Sequence, residues 1–179
     1  IAFVSFSDGP LEIYVMGPAG SDVVRLTYGV ASKVGRPAWS PDSRRIAFNC
    51  EVDAGNQDIC AINRDGSGFT RLTADPAMDA DAAWSPDGSE IVFSTTRFDG
   101  ATGFALMTPD GSYVAPLGSG IAGSHPAWSP DGTRIAFYGL APDFAPDRPK
   151  YGIYTVAPDG TSGAFLGGGT NFNPDGGYA

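Results

Sequence analysis

The sequence predicts an all-β chain, a β-propeller of four-stranded antiparallel blades with four repeats in one domain. Three observations carry this. A twelve-residue stretch occurs three times, as Pro37–Phe48, Ala82–Phe93 and Pro126–Phe137. Its tryptophans, Trp39, Trp84 and Trp128, stand 45 and 44 residues apart. No segment keeps a 3.6-residue apolar period with caps, so almost no helix is expected. Repeats of about 40–50 residues, each with four short strands and unable to bury both faces alone, mark a propeller.

Each unit opens on a strand, Pro-Ala-Trp-Ser in its fullest form. The Ser-Pro-Asp-Gly that follows is a tight turn, with Pro at its second position and Gly where positive φ is wanted. In the second unit Ser43 replaces that glycine, so this turn should be strained or altered. The second strand is Ile46-Ala-Phe48 and its copies at Ile91 and Ile135; Ile1-Ala-Phe3 is the same strand 45 residues earlier. The third strand is Ile13–Met16, Ile59–Ile62, Phe104–Met107 and Ile153–Val156. Hairpin turns follow at Asp65-Gly66, Asp110-Gly111 and Asp159-Gly160, matched by Ala19-Gly20. The fourth strand ends at Arg25-Leu-Thr27 and Arg71-Leu-Thr73, and more weakly at Leu117 and Leu166. The last unit is longer because of a proline-rich loop, Ala141–Pro149. Its Phe144 is either a partner-binding tip or part of a tolerated insertion.

The repeat units run over about 1–36, 37–81, 82–125 and 126–170, with 171–179 completing the first blade. Asn171-Phe-Asn-Pro-Asp-Gly176 repeats Ala127–Gly132, and Phe172 lies 44 residues after Trp128. The chain therefore ends on a first strand and begins on a second. The C-terminal strand is expected to pair with the N-terminal blade and close the ring. The first reading is a monomeric four-bladed ring. The others are a strand-exchanged homodimer of eight blades and an excerpt from a longer propeller.

Net charge is −9 and the 11 basic residues are scattered, which argues against a nucleic-acid partner. No apolar run approaches the roughly 18 residues of a membrane span. The chain starts inside an apolar run without Met, so it is processed, trimmed or lacks its beginning. Cys50 and Cys60 lie on neighbouring strands across a loop. A disulfide between them would indicate an oxidising, extracytoplasmic compartment, periplasmic or secreted; the alternative is two buried free thiols in a cytosolic core.

Catalytic chemistry finds no constellation. There is no Gly-x-Ser-x-Gly and only one histidine, His125. Zinc is not expected without Cys-x-x-Cys or histidine partners, and no cofactor is expected. The acidic loops Glu51–Asp58 and Asp75–Asp81 lack EF-hand spacing and read as turn-forming and solubilising. The aspartates of the Pro-Asp turns, Asp42, Asp87, Asp131 and Asp175, read as turn caps. The positions three before each aromatic hold Arg36, Asp81, His125 and Gly169. Repeat symmetry brings them to one mouth of the axial channel, with Asp79 near. Arg36, Asp81 and His125 could form a polar site for an anion, a sugar or a peptide end. The competing reading is that they are solvated loop residues, which differ because nothing constrains them.

The run Ala-Trp-Ser-Pro-Asp-Gly-x-x-Ile-Ala-Phe, then Ile-Tyr-Val-Met, Asp-Gly-Ser and Arg-Leu-Thr, resembles the WD40-like PD40 repeat of the TolB propeller family. The resemblance covers essentially the whole chain. It implies the propeller fold and leaves function open. In that family the repeat serves periplasmic partner-binding TolB, the propellers of prolyl oligopeptidase-type peptidases, and some oligogalacturonate lyases. Within these 179 residues there are four units where TolB has six, and no stretch that resembles TolB's N-terminal α/β domain or a hydrolase domain. The expected function is a non-enzymatic binding or scaffold propeller that presents loops and a channel mouth to a protein or glycan partner. The alternatives are the propeller portion of a larger peptidase or lyase, or an assembly subunit joined by strand exchange.

Overall fold

The computed structural model describes residues 1–29, 34–53, 55–98, 102–141 and 151–168. These form fifteen β-strands and no helix. Blade 1 is β1 (Ala2–Ser5), β2 (Glu12–Val15) and β3 (Val24–Arg25). Blade 2 is β4 (Val34–Trp39), β5 (Arg45–Cys50), β6 (Asp58–Asn63) and β7 (Thr70–Arg71). Blade 3 is β8 (Asp79–Trp84), β9 (Ile91–Thr95), β10 (Gly103–Met107) and β11 (Val114–Pro116). Blade 4 is β12 (Ala122–Trp128), β13 (Ile135–Leu140), β14 (Gly152–Val156) and β15 (Ala164–Gly167). Each sheet is an antiparallel meander in chain order. Blade 1 has three strands among the described residues; the segment expected to complete it, 171–176, lies outside them, as do Gly169 and loop residues 142–149.

The first strands begin earlier than Pro-Ala-Trp-Ser. Each is broken by a bulge, at Gly35/Ala38, Ala80/Ala83 and Ser124/Ala127. Neighbouring first strands, β4 with β8 and β8 with β12, lie side by side, so this edge of each sheet faces the axis.

The turns behave as their chemistry requires. In Ser85–Gly88 the Gly88 N–H donates to Ser85 O at 2.9 Å, with φ +74° at Gly88. Asp87 caps the turn, accepting from Ser85 Oγ at 2.7 Å and from Ser89 N at 3.0 Å. These bonds favour the ionised carboxylate and hold Asp87 at about 2, as like bonds do for Asp131 in the equivalent turn of blade 4 and for Asp110 in the hairpin between β10 and β11. In blade 2 the same bonds form, but Ser43 sits at φ +58° where the other turns have glycine.

Three cores lie between successive blades. Each takes its residues from the leading face of one blade and the trailing face of the next. Ile13 and Leu26 meet Ile46 and Phe48; Ile59 and Leu72 meet Ile91 and Phe93; Phe104 and Leu117 meet Ile135 and Phe137. All of these are at most 6% exposed. Trp39, Trp84 and Trp128 pack against the three cores, as an inter-blade aromatic should. The hairpin glycines seal the joints. A Cβ on Gly111 would lie 2.4 Å from Leu72 O, and one on Gly160 would lie 2.7 Å from Gly118 Cα, so only glycine admits this approach.

Cys50 and Cys60 form a disulfide across β5 and β6, with Cα atoms 5.8 Å apart. Both are buried in the core between blades 1 and 2.

Candidate functional site

The three bulges place Arg36, Asp81 and His125 at equivalent points of adjacent inner strands. All three have positive φ, +48°, +59° and +58°. Asp and His tolerate this region better than most side chains, whereas Arg36 has no local reason to adopt it. The residues expected to be loop positions are thus held within strands, in a left-handed conformation imposed by the extra bulge residue.

The geometry brings all three together. Asp81 is the hub, its side chain 11% exposed. Its Oδ1 lies 3.1 Å from Arg36 Nη1. Its Oδ2 accepts the His125 backbone N–H at 3.2 Å and lies 3.9 Å from His125 Nδ1. The Asp81 N–H donates to Asn49 Oδ1 at 2.9 Å, which fixes the hub to β5. His125 Nδ1 also meets Ser124 Oγ at 2.8 Å. The guanidinium and the imidazole are more than half exposed, so the Asp81 carboxylate is engaged while its two partners face outward. Such a pair can donate hydrogen bonds to an anionic or carbonyl oxygen. Ser124 Oγ and Asp81 Oδ2 face the same ring nitrogen, Nδ1, so the three do not make a relay with hydroxyl and carboxylate on opposite nitrogens.

Asp79 does not join this group. It is fully buried and pairs with Arg97, and its N–H donates to Gln57 O at 2.7 Å. Alternation explains the difference: in β8, residues 79 and 81 are separated by the start of the bulge and no longer share a face.

The acidic loops serve structural pairs. Asp53 and Asp58 both hold Arg71, at 2.6 and 2.7 Å. Burial pushes the Asp58 carboxyl up, Arg71 opposes this, and Asp79 adds to the rise. Blade 1 repeats the device with Glu12. Glu12 is 1% exposed, lies 2.7 Å from Arg25 Nη2, accepts from Gly29 N at 2.8 Å, and accepts the Thr27 hydroxyl. Thr27 and Thr73 in turn accept the N–H of Ile13 and Ile59, both at 2.9 Å. Sequence reading noticed Arg-Leu-Thr but missed the acid at the start of the third strand. The signal was available: where the acid is present, so are Arg and Thr, and in blades 3 and 4 Gly103 and Gly152 stand at that place.

A family model described as the TolB beta propeller domain, PD40, matches residues 1–141. The uncharacterized peptidase YuxL of Bacillus subtilis is 29% identical over 52% of this chain and 20% of its own length. The Tol-Pal system protein TolB of Anaeromyxobacter dehalogenans is 47% identical over 26% of this chain and 10% of its own length. Among solved structures, TolB from Agrobacterium tumefaciens superposes with a TM-score of 0.79 at 24% identity, over 92% of this chain and 60% of that one. The chain thus spans a fifth or less of the curated relatives it matches. The superposition shows the shared fold. With the repeat, the blades and the family match in agreement, the chain belongs to the PD40 family of TolB beta propeller domains.

Proposed function

We propose that this chain is a non-enzymatic binding propeller that works outside the cytoplasm. Its site is the Arg36–Asp81–His125 mouth, and its ligand is an acidic or carbonyl-bearing group of a protein or glycan partner. The observation that carries the reading is the hub geometry: Asp81 holds Arg36 and His125 while both present donors to solvent. Three non-glycine residues held at positive φ support it, because such conformations persist where the surroundings over-determine them. The buried Cys50–Cys60 disulfide supports an oxidising compartment.

Titration of the chain with acidic peptides and with polyuronide fragments tests this. At least one class should bind, and Arg36→Ala and His125→Ala should each weaken it about tenfold, about 1.4 kcal/mol. Binding that ignores both substitutions would remove the mouth from the reading. Hydrolysis or cleavage of either class by this chain would remove the non-enzymatic reading.

A second reading rests on the likeness to YuxL, whose name calls it a peptidase. In it, this propeller is part of a larger peptidase and the mouth receives peptide ends.

A further inference from the structure

We propose that the cleft beside the β11–β12 connection is a binding site for a small apolar carboxylic acid. It is separate from the Arg36–Asp81–His125 mouth, and its lining residues all fall between Arg97 and Ala122. Its volume is about 580 Å³, within the range of small-molecule pockets.

The cleft is where blade 3 lacks what the other blades supply. In blades 1 and 2 a buried acid, an Arg and a Thr bind one another at this place. In blade 4 the Phe165 ring fills it, 2.6 Å from where a Cβ on Gly152 would stand. In blade 3 Gly103, Pro116 and Gly118 take the three positions, and all three line the cleft. A Cβ on Gly103 would meet Ile121 O at 3.3 Å and no other group among the described residues within 4 Å.

Two donors are left over. The Ile13 and Ile59 N–H groups donate to the Thr27 and Thr73 hydroxyls, each at 2.9 Å. Phe104 is the equivalent residue, and its C=O accepts from Leu117 N as in those blades. Its N–H meets no threonine, because Gly118 stands in that place. The second donor is Arg97, which lines the cleft. It binds Asp79 through Nε at 3.3 Å and through Nη2, so Nη1 remains to donate.

The ligand chemistry follows from these groups. A carboxylate brings two acceptor oxygens, as Glu12 and Asp58 do in their blades, and a guanidinium binds it by charge-assisted hydrogen bonds. Phe98, Phe104, Pro116 and Ile121 give apolar walls for a ring or a branched chain.

Titration of the ¹⁵N-labelled chain with phenylacetate, followed by NMR, tests the assignment. The Gly103 and Phe104 amide signals and that of Arg97 Nε should move together, with a Kd of about 1 mM. The Ile13 and Ile59 amides, already held by threonine, should stay in place. Phenylacetamide, which lacks the charge, should bind about tenfold more weakly. Pro116→Trp and Ser119→Trp, both at exposed lining residues, should each abolish the Phe104 shift with circular dichroism unchanged. No movement of Phe104 up to about 10 mM phenylacetate overturns the proposal. So does equal binding of phenylacetamide, or a Phe104 shift that survives both substitutions. Shifts confined to Asp81 and His125 overturn it as well, and give the acid to the mouth.

Discussion

Blades 1 and 2 fasten their outer strand differently from blades 3 and 4. In the first pair a buried acid at the start of the third strand, Glu12 or Asp58, holds an Arg and a Thr of the fourth strand. In the second pair glycines stand where the acid and the threonine were: Gly103 with Gly118, and Gly152 with Gly167. The arginine is gone as well, replaced by Pro116 and Phe165. The backbone bond that follows is kept: Leu26, Leu72 and Leu117 donate to Ile13, Ile59 and Phe104 at 2.8–2.9 Å. The difference teaches that the three polar residues act as one unit. An acid left alone in that place would be a buried, unpaired charge, and an arginine or threonine left alone would lose its anchor.

The sharpest way to break the comparison is Glu12→Ala. It strips an acceptor from Arg25, Thr27 and Gly29, and should cost about 4 kcal/mol in a urea titration. Gly103→Ala, at the equivalent place in blade 3, brings a Cβ only to 3.3 Å from Ile121 O and should cost less than about 1 kcal/mol. Equal losses at the two sites would show that the polar unit contributes nothing of its own. Next in size is the disulfide, present only in blade 2. Closing a loop of sequence separation 10, it should contribute about 3 kcal/mol, read as the stability lost in Cys50→Ala/Cys60→Ala.

A smaller effect separates blade 2 from the other Pro-Asp turns. Ser43→Gly relieves a left-handed serine and should raise stability by about 1 kcal/mol, while Gly88→Ser should lower it by a similar amount. The smallest effect is shared by blades 2, 3 and 4. The turn aspartates are held below the ordinary carboxylate value of 3.8, at about 2 for Asp87, Asp110 and Asp131. Their folded value lies below the unfolded one, so their contribution is complete above pH 3.8 and is lost as pH falls toward 2. Thermal scans between pH 5 and pH 2 should show melting fall in that window. Asp87→Asn should flatten part of the slope.

Much of the fold was legible because turns and strands are local chemistry. The Pro-Asp-Gly turns, the Asp-Gly hairpins and the alternating apolar strands each announce themselves within a few residues. Their recurrence at 45 and 44 then implies stacked sheets. The grouping of Arg36, Asp81 and His125 was legible too, since repeat symmetry alone places equivalent residues side by side. Their conformation was not, because a bulge leaves no mark in residue type. Asp79 was misplaced for the same reason: one extra residue in a strand reverses which side chains face the axis.

By itself the sequence determined the repeat, the strand order within each unit and the turn caps, because each depends on spacing along the chain. Only the tertiary structure decided what lies across strands and across blades. It joined Glu12 to Arg25 and Asp58 to Arg71, and it buried Asp79 while exposing Arg36. The physical reason is that burial belongs to stacked pairs of sheets. The same residue is core or surface according to whether a neighbouring blade stands against it.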